Sequence, residues 1–128
     1  MRKVLLLTFL MGTITIGYAQ EQTWEDIEVL LRNGSARELM KFCGNTITMK
    51  IDGKNDSYSR PNAETTLRSF FSSNPPTNFS YVHHGSSNEG LNYSIGKYTM
   101  REGSYRVVMF LKQKPTGFQL ESISLTKE

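Results

Sequence analysis

The second half of the chain constrains the fold most, because four stretches after Pro76 have the pattern of β-strands separated by short turns. The strands are predicted at TNFSYVHHG, LNYSIGKYTM, YRVVMFLKQ and GFQLESISL, and the separators SSNEG, REG and KPT are rich in turn residues. Separators this short join neighbouring antiparallel strands, so the pattern predicts a β-meander. The middle of YRVVMFLKQ is apolar on both faces, so one face must pack on helices and the other must be covered.

Two short helices are predicted near the start of the chain. Thr23 followed by Asp26 has the form of a capping box, and apolar residues at helical spacing then predict a first helix over Trp24–Arg32. The same signal returns at Ser35 and Glu38. It predicts a second helix that ends at Gly44.

A strand and a third helix are predicted between these helices and the meander. Ile47, Met49 and Ile51 alternate with polar residues, which indicates a half-buried strand before the turn at DG. Pro61 is well placed as the first residue of a helix. The residues predicted to form the buried face of that helix are Ala63, Leu67, Phe70 and Phe71.

The first residues have the form of a secretory leader. Arg2 and Lys3 precede an apolar run, and small residues follow up to Ala19. We therefore expect a signal peptide over residues 1–19 and a single domain over 20–128, exported to the periplasm or secreted. The apolar run is too short for a membrane span, which needs about 20 apolar residues.

Charge and cysteine content exclude other classes of protein. The formal net charge of +3 includes Arg2 and Lys3, so the chain without its leader is close to neutral, and no Lys/Arg face suited to nucleic acid is present. The single cysteine, Cys43, cannot form an internal disulfide. We expect it to be buried beside Phe42, with an intermolecular disulfide as the alternative.

Several short stretches carry a resemblance to a known family. They are KFCGN, YSR, FSYVHHG, YSIG and YRVVMFL. Together with the order of the elements, they resemble a family of small secreted bacterial proteins of unknown function in the nuclear transport factor 2-like (cystatin-like) superfamily. The resemblance implies an α+β cone, with three N-terminal helices packed on a strongly bent antiparallel sheet. It also implies that the open end of the cone is often a pocket and that subunits often pair through their sheets.

The only two histidines, His83 and His84, are adjacent on a predicted strand. Neighbouring strand residues point to opposite faces unless a bulge intervenes, so the two rings cannot share one site. Phe79, Tyr81 and His83 are predicted to share the face toward the helices, which makes His83 the candidate. The alternative is a histidine at the edge of the core. Glu121 is the only acid of the predicted strands that could face inward. Two histidines on opposite faces and one cysteine do not form a recognisable metal site.

Three functions remain open from the sequence. We expect a non-enzymatic module without a cofactor, which binds a small amphipathic molecule or a peptide at the mouth of the cone. The alternative is an isomerase- or dehydratase-like enzyme that uses the same pocket with His83. The third is a homodimer through the sheet face that carries Val108 and Phe110. The candidate ligand-binding residues are Tyr58, Arg60, Tyr81, His83, Tyr93 and Arg106.

Overall fold

The computed structural model describes residues 19–87 and 90–128, which contain three helices and six strands. The helices are α1 (19–33), α2 (Ala36–Met40) and α3 (Arg60–Ser73). The strands are β1 (Cys43–Ile51), β2 (Lys54–Ser59), β3 (Pro76–Ser86), β4 (Asn92–Met100), β5 (Gly103–Lys114) and β6 (Gly117–Lys127). Apart from Ala19, the predicted signal peptide lies outside the described residues. No helix in the described ranges is long and apolar enough to cross a membrane.

The six strands form one curved sheet in the order β2-β1-β6-β5-β4-β3. The predicted antiparallel meander is confirmed, since β3, β4, β5 and β6 pair in succession. The sheet is nevertheless mixed and not antiparallel throughout, because β1 pairs with β6 in parallel. The expectation of three N-terminal helices was also wrong, because β1 and β2 precede α3.

The alternation along β5 determines which face of the sheet packs on the helices. Tyr105, Val107, Met109 and Leu111 are buried, whereas Val108 and Phe110 between them are only half-buried. We refer to the buried side as the inner face and to the side of Val108 and Phe110 as the outer face. The predicted apolar face of α3 is confirmed. Its buried residues are Ala63, Leu67, Phe70 and Phe71.

Helix α2 starts after Ser35 as predicted, whereas helix α1 starts before its predicted position. Helix α1 already includes residue 19, so Thr23 lies inside it, and its hydroxyl donates a hydrogen bond to the Ala19 carbonyl at 2.7 Å. Ser35 precedes α2, but its side chain makes no capping hydrogen bond. Helix α2 ends at Met40, before Gly44. The predicted capping box at Thr23 is therefore wrong, and Ser35 occupies its predicted position without the predicted side-chain hydrogen bond.

The third helix and the turn at Asp52 and Gly53 form as predicted, and the strand after the turn pairs with β1. The Ser59 hydroxyl accepts a hydrogen bond from the Asn62 amide at 3.4 Å, and Pro61 lies in the first turn. Asp52 and Gly53 have φ values of 51° and 86°. Positive φ at both central residues is the geometry of the tight turn that joins twisted strands, which explains the DG pair between β1 and β2.

A bulge in β3 decides which histidine faces the helices. Tyr81 pairs with Gly96, but His83 pairs with the next residue, Ile95, so Val82 is an extra residue in the strand. Beyond the bulge the alternation is inverted. His84 pairs with the buried Ser94 on the inner face, and His83 lies on the outer face. The prediction that His83 shares the face of Phe79 and Tyr81 was therefore wrong.

Candidate functional site

A cavity of about 500 Å³ opens between α1 and β3. We call it the α1–β3 pocket. Helix α1 supplies most of its lining and β3 supplies the rest. The lining residues are Gln20, Glu21, Trp24, Glu25, Glu28, Tyr81 and His84.

Three aromatic rings form one wall of the α1–β3 pocket. The Trp24 ring centroid lies 5.7 Å from that of Tyr81 and 5.4 Å from that of His84, and the Tyr81 and His84 centroids are 4.6 Å apart. The Tyr81 hydroxyl donates a hydrogen bond to the Trp24 carbonyl at 2.6 Å. This bond ties β3 to α1, and the side chains hold one another in position.

Three carboxylates lie on the side of α1 that faces the pocket. Glu21, Glu25 and Glu28 follow at the spacing of helical turns, so they share one face of the helix. Glu28 forms an ion pair with Arg32 at 3.3 Å, and Arg32 also donates to the Phe79 carbonyl at 3.1 Å. Within the described ranges, Glu21 and Glu25 have no cationic partner. The pocket therefore carries two carboxylates whose charge no described residue balances by an ion pair.

The aromatic wall is uncharged at neutral pH. Burial lowers the pKa of His84 below its usual value, the neighbouring His83 lowers it further, and Glu28 acts in the opposite direction. Burial likewise raises the pKa of the Tyr81 phenol, which stays protonated. The pocket thus combines neutral rings with negative charge, an arrangement suited to a ligand with an apolar part and a cationic group.

His83 and Tyr93 lie outside the α1–β3 pocket. The His83 Nε2 atom is 3.3 Å from the Tyr93 hydroxyl oxygen, and the Tyr93 ring centroid is 5.9 Å from that of Phe110. Ile95 and Val108 are register partners on the same face. These residues therefore belong to the outer face of the sheet. His83 cannot act in the α1–β3 pocket as the enzyme hypothesis required.

The remaining candidate residues are dispersed. Tyr58 lines a shallow cavity beside α3, and Arg106 is exposed on the outer face. Arg60 donates hydrogen bonds to the carbonyls of Cys43 and Gly44. Of the six candidates, only Tyr81 lines the α1–β3 pocket.

Sequence reasoning missed the contributions of α1 and of His84 to this site. In the sequence, Trp24 has the spacing of a residue on the buried side of a helix, and the acidic residues around it are typical of the exposed side. The available signal was the stretch EQTWEDIE, which places the only tryptophan of the chain among acidic residues. The face on which His84 lies could not be predicted from the alternation of residues, because no pattern in the sequence marks the bulge at Val82.

The structure describes few other reactive groups. Burial raises the pKa of the Cys43 thiol to about 12, so this free cysteine is protonated and, as expected, buried. Among residues 19–87 and 90–128, no cluster of three His, Cys, Asp or Glu side chains could hold a metal ion. In the same ranges, His84 forms no ion pair with a carboxylate, although the charge of Glu28 acts on its pKa.

Solved structures with this fold include several bacterial proteins. A protein from Bacteroides fragilis YCH46 is 27% identical, with a TM-score of 0.74 over 80% of this chain and 95% of its own. A protein from Bacteroides uniformis ATCC 8492 is 25% identical, with a TM-score of 0.74 over 81% of this chain and 95% of its own. Both are described as DUF4783 family proteins.

More distant structures share the fold alone. A domain of unknown function with a cystatin-like fold, from Nostoc punctiforme PCC 73102, is 12% identical, with a TM-score of 0.65 over 89% of this chain and 78% of its own. This likeness confirms the expected type of fold, nuclear transport factor 2-like and cystatin-like. None of the curated proteins matches the chain. The domain of unknown function DUF4783 matches residues 24–126, which is most of the sequence, and the chain therefore belongs to the DUF4783 family.

Proposed function

We propose that the protein is an exported binding module. Its ligand is a small molecule, or a side chain of a peptide, that combines an apolar or aromatic part with a positively charged group. The α1–β3 pocket is the proposed site. The observation that carries the proposal is the convergence on one cavity of three aromatic rings and two carboxylates that form no ion pair with the residues the structure describes.

The physical basis is complementarity of charge and surface. A cation that leaves water for this pocket meets the carboxylates of Glu21 and Glu25, and its apolar part meets the rings of Tyr81 and His84. The same carboxylates repel an anionic ligand. The neutral state of His84 matters because an imidazolium would offset part of the negative charge.

The single tryptophan provides a direct measurement of binding. Trp24 lines the pocket and is the only tryptophan in the chain, so its fluorescence reports on this site. We expect 2-phenylethylamine to cause a saturable change in emission, and phenylacetate, which has the same ring but the opposite charge, to cause none. Glu25→Gln should weaken binding of the amine up to about fivefold, because partly exposed charge pairs contribute about 0.2–1 kcal/mol.

A matched variant controls for the change in net charge. Glu102 lies in the turn between β4 and β5, away from the lining of the pocket. Glu102→Gln should therefore bind the amine as the unmodified protein does. The proposal fails if neither compound gives a saturable signal, or if phenylacetate binds as well as the amine.

The enzyme alternative has lost the residue on which it rested. His83 lies on the outer face, and His84, which replaces it in the pocket, has no orienting carboxylate among the described residues. A general acid or base needs a partner that holds its ring and tunes its pKa. We therefore propose binding in preference to isomerase or dehydratase chemistry.

Assembly is a second candidate function, supported by a different surface. Tyr93, Ile95, Val108 and Phe110 are half-buried and lie side by side on the outer face of β4 and β5. We call these four residues the outer patch. A contiguous apolar patch on an exposed sheet face is typical of an interaction surface. We propose that a second copy of the chain covers it, which would place two α1–β3 pockets in one particle.

A further inference from the structure

A second cavity, of about 380 Å³, opens where β1 and α3 begin and β5 turns into β6. Three cationic side chains, Lys41, Arg60 and Lys114, come together there from distant parts of the chain. None of the described residues that line the cavity is acidic. The stretches KFCGN and YSR, which carried the family resemblance, meet at this place.

The Arg60 guanidinium is held in a fixed position. Its Nε donates to the Gly44 carbonyl at 3.0 Å, and its Nη2 donates to the Cys43 carbonyl at 2.8 Å. These bonds use two of the five N–H donors of a guanidinium and leave the others available. In the described part of the chain, Arg60 has no carboxylate partner. Its positive charge is therefore oriented, and no carboxylate of residues 19–87 or 90–128 neutralises it.

The side-chain amide of Gln119 is an uncharged donor that lines the same cavity as Arg60, and the absence of a side chain at Gly44 makes room for it. A Cβ atom added to Gly44 would lie 1.8 Å from the Nε2 atom of Gln119, so the Gln119 amide occupies space that only a glycine leaves free. Both residues line the cavity. The amide of Gln119 is thus packed against the backbone whose carbonyls fix Arg60.

The two lysines are only partly neutralised. Lys41 pairs with Glu38 at 2.9 Å on the exposed surface of α2. Lys114 lies 3.7 Å from Glu121, and both side chains are about one-third exposed. Ion pairs between side chains that reach solvent are weak, so both ammonium groups can turn toward an anion in the cavity.

We infer that this cavity is a binding site for an oxyanion, namely the carboxylate or phosphate group of a small molecule. Arg60 is the main contact, because a planar guanidinium with free N–H groups binds two oxygens of either group. The Gln119 amide and the ammonium groups of Lys41 and Lys114 supply further donors. This site is separate from the α1–β3 pocket and does not depend on the function proposed for it.

NMR titration of the ¹⁵N-labelled protein tests the site directly. Inorganic phosphate and acetate are added separately, with sodium chloride adjusted to keep the ionic strength constant. We expect saturable shifts of the Arg60 Nε–H and Gln119 side-chain amide signals, and the tighter of the two anions identifies the oxyanion. Arg60→Gln should weaken binding about tenfold or more, as expected for lost hydrogen bonds to a charged group. Glu121→Gln should strengthen it.

Arg101→Gln is the matched control. Arg101 is an exposed cation that lines a cavity beside the last residues of α3, at the opposite end of the helix from Arg60. Its loss should leave the affinity unchanged. If Arg60→Gln does not fold, Lys114→Gln and Gln119→Leu provide the same test. The inference would be overturned if no saturable shifts appear, or if Arg101→Gln weakens binding as much as Arg60→Gln does. It would also be overturned if Lys114→Gln and Gln119→Leu both keep full affinity.

Discussion

At the scale of single residues, His84 shows how the bulge in β3 changes the chemistry of a side chain. The extra residue Val82 turns His84 toward α1, where its ring packs against Trp24 and Tyr81. Partial burial disfavours the charged imidazolium. The same ring on the other side of the sheet would meet only solvent and the outer patch.

We predict that the folded protein loses stability as pH falls through the pKa of His84. The pKa is lowered on folding, so the unfolded chain binds a proton first, near its usual pKa of about 6.5. The contribution is fully present above that pH and is lost toward the lower pKa of the folded state. Proton NMR of the imidazole should show the lowered pKa, and urea unfolding at pH 7.5 and 5.5 should show the loss.

Two variants separate this effect from the other titrating groups. His84→Gln should remove part of the loss of stability between pH 7.5 and 5.5, and His83→Gln should leave that loss unchanged. A His84 ring that titrates at or above the usual value would contradict the proposed packing against Trp24.

At the scale of elements, the two serines that precede helices α2 and α3 differ in what their side chains do. The Ser59 hydroxyl accepts from the Asn62 amide, whereas the Ser35 side chain makes no capping bond. We predict that Ser59→Ala lowers the free energy of unfolding by about 0.5–1 kcal/mol and that Ser35→Ala has a smaller effect. Denaturant unfolding of the two variants provides the comparison. A larger loss for Ser35→Ala would show that its hydroxyl caps α2 in solution.

The sequence predicts those elements whose pattern is local and periodic. The alternation of Tyr105, Val107 and Met109 fixed the inner face of β5, and the spacing of Leu67 with Phe71 fixed the buried face of α3. Each of these patterns repeats the geometry of its own element. The meander could be predicted because the turns between its strands are short, and short turns join neighbouring antiparallel strands.

Other features could not be predicted, for physical reasons that differ from case to case. The parallel pairing of β1 with β6 joins segments far apart in the chain, and no local signal records it. The bulge at Val82 breaks the period without a glycine or proline to mark it. The α1–β3 pocket depends on both a helix that begins earlier than its apparent cap and a strand that changes face.

At the scale of the whole molecule, the proposed contact between two copies of the chain depends on the outer patch. Burial of a large apolar side chain contributes about 1.5–3 kcal/mol, and a twofold contact counts each residue twice. We predict that Phe110→Glu converts a dimer into a folded monomer, because it places like charges opposite each other and leaves the inner face unchanged. Sedimentation and circular dichroism measure the two properties.

A second charge on the same face serves as the control. Thr126 is exposed and pairs with Arg106, outside the outer patch. Thr126→Glu should therefore leave the dimer intact. If the unmodified protein is a monomer at high concentration, the assembly proposal is wrong. If Phe110→Glu unfolds, the residue supports the fold of the single chain and not a contact between chains.

The position of β6 between β1 and β5 has a consequence for how the chain acquires its structure. The β1–β2 hairpin is synthesised well before β6. Among the described strands, β6 is the one that connects this hairpin to the rest of the sheet. Until β6 arrives, the exposed edge of β1 has no partner and the two parts of the sheet remain separate. Closure of a contact this distant in sequence is slow. A nascent chain would thus stay open through most of its synthesis, a state in which a polypeptide can still be threaded through a narrow channel.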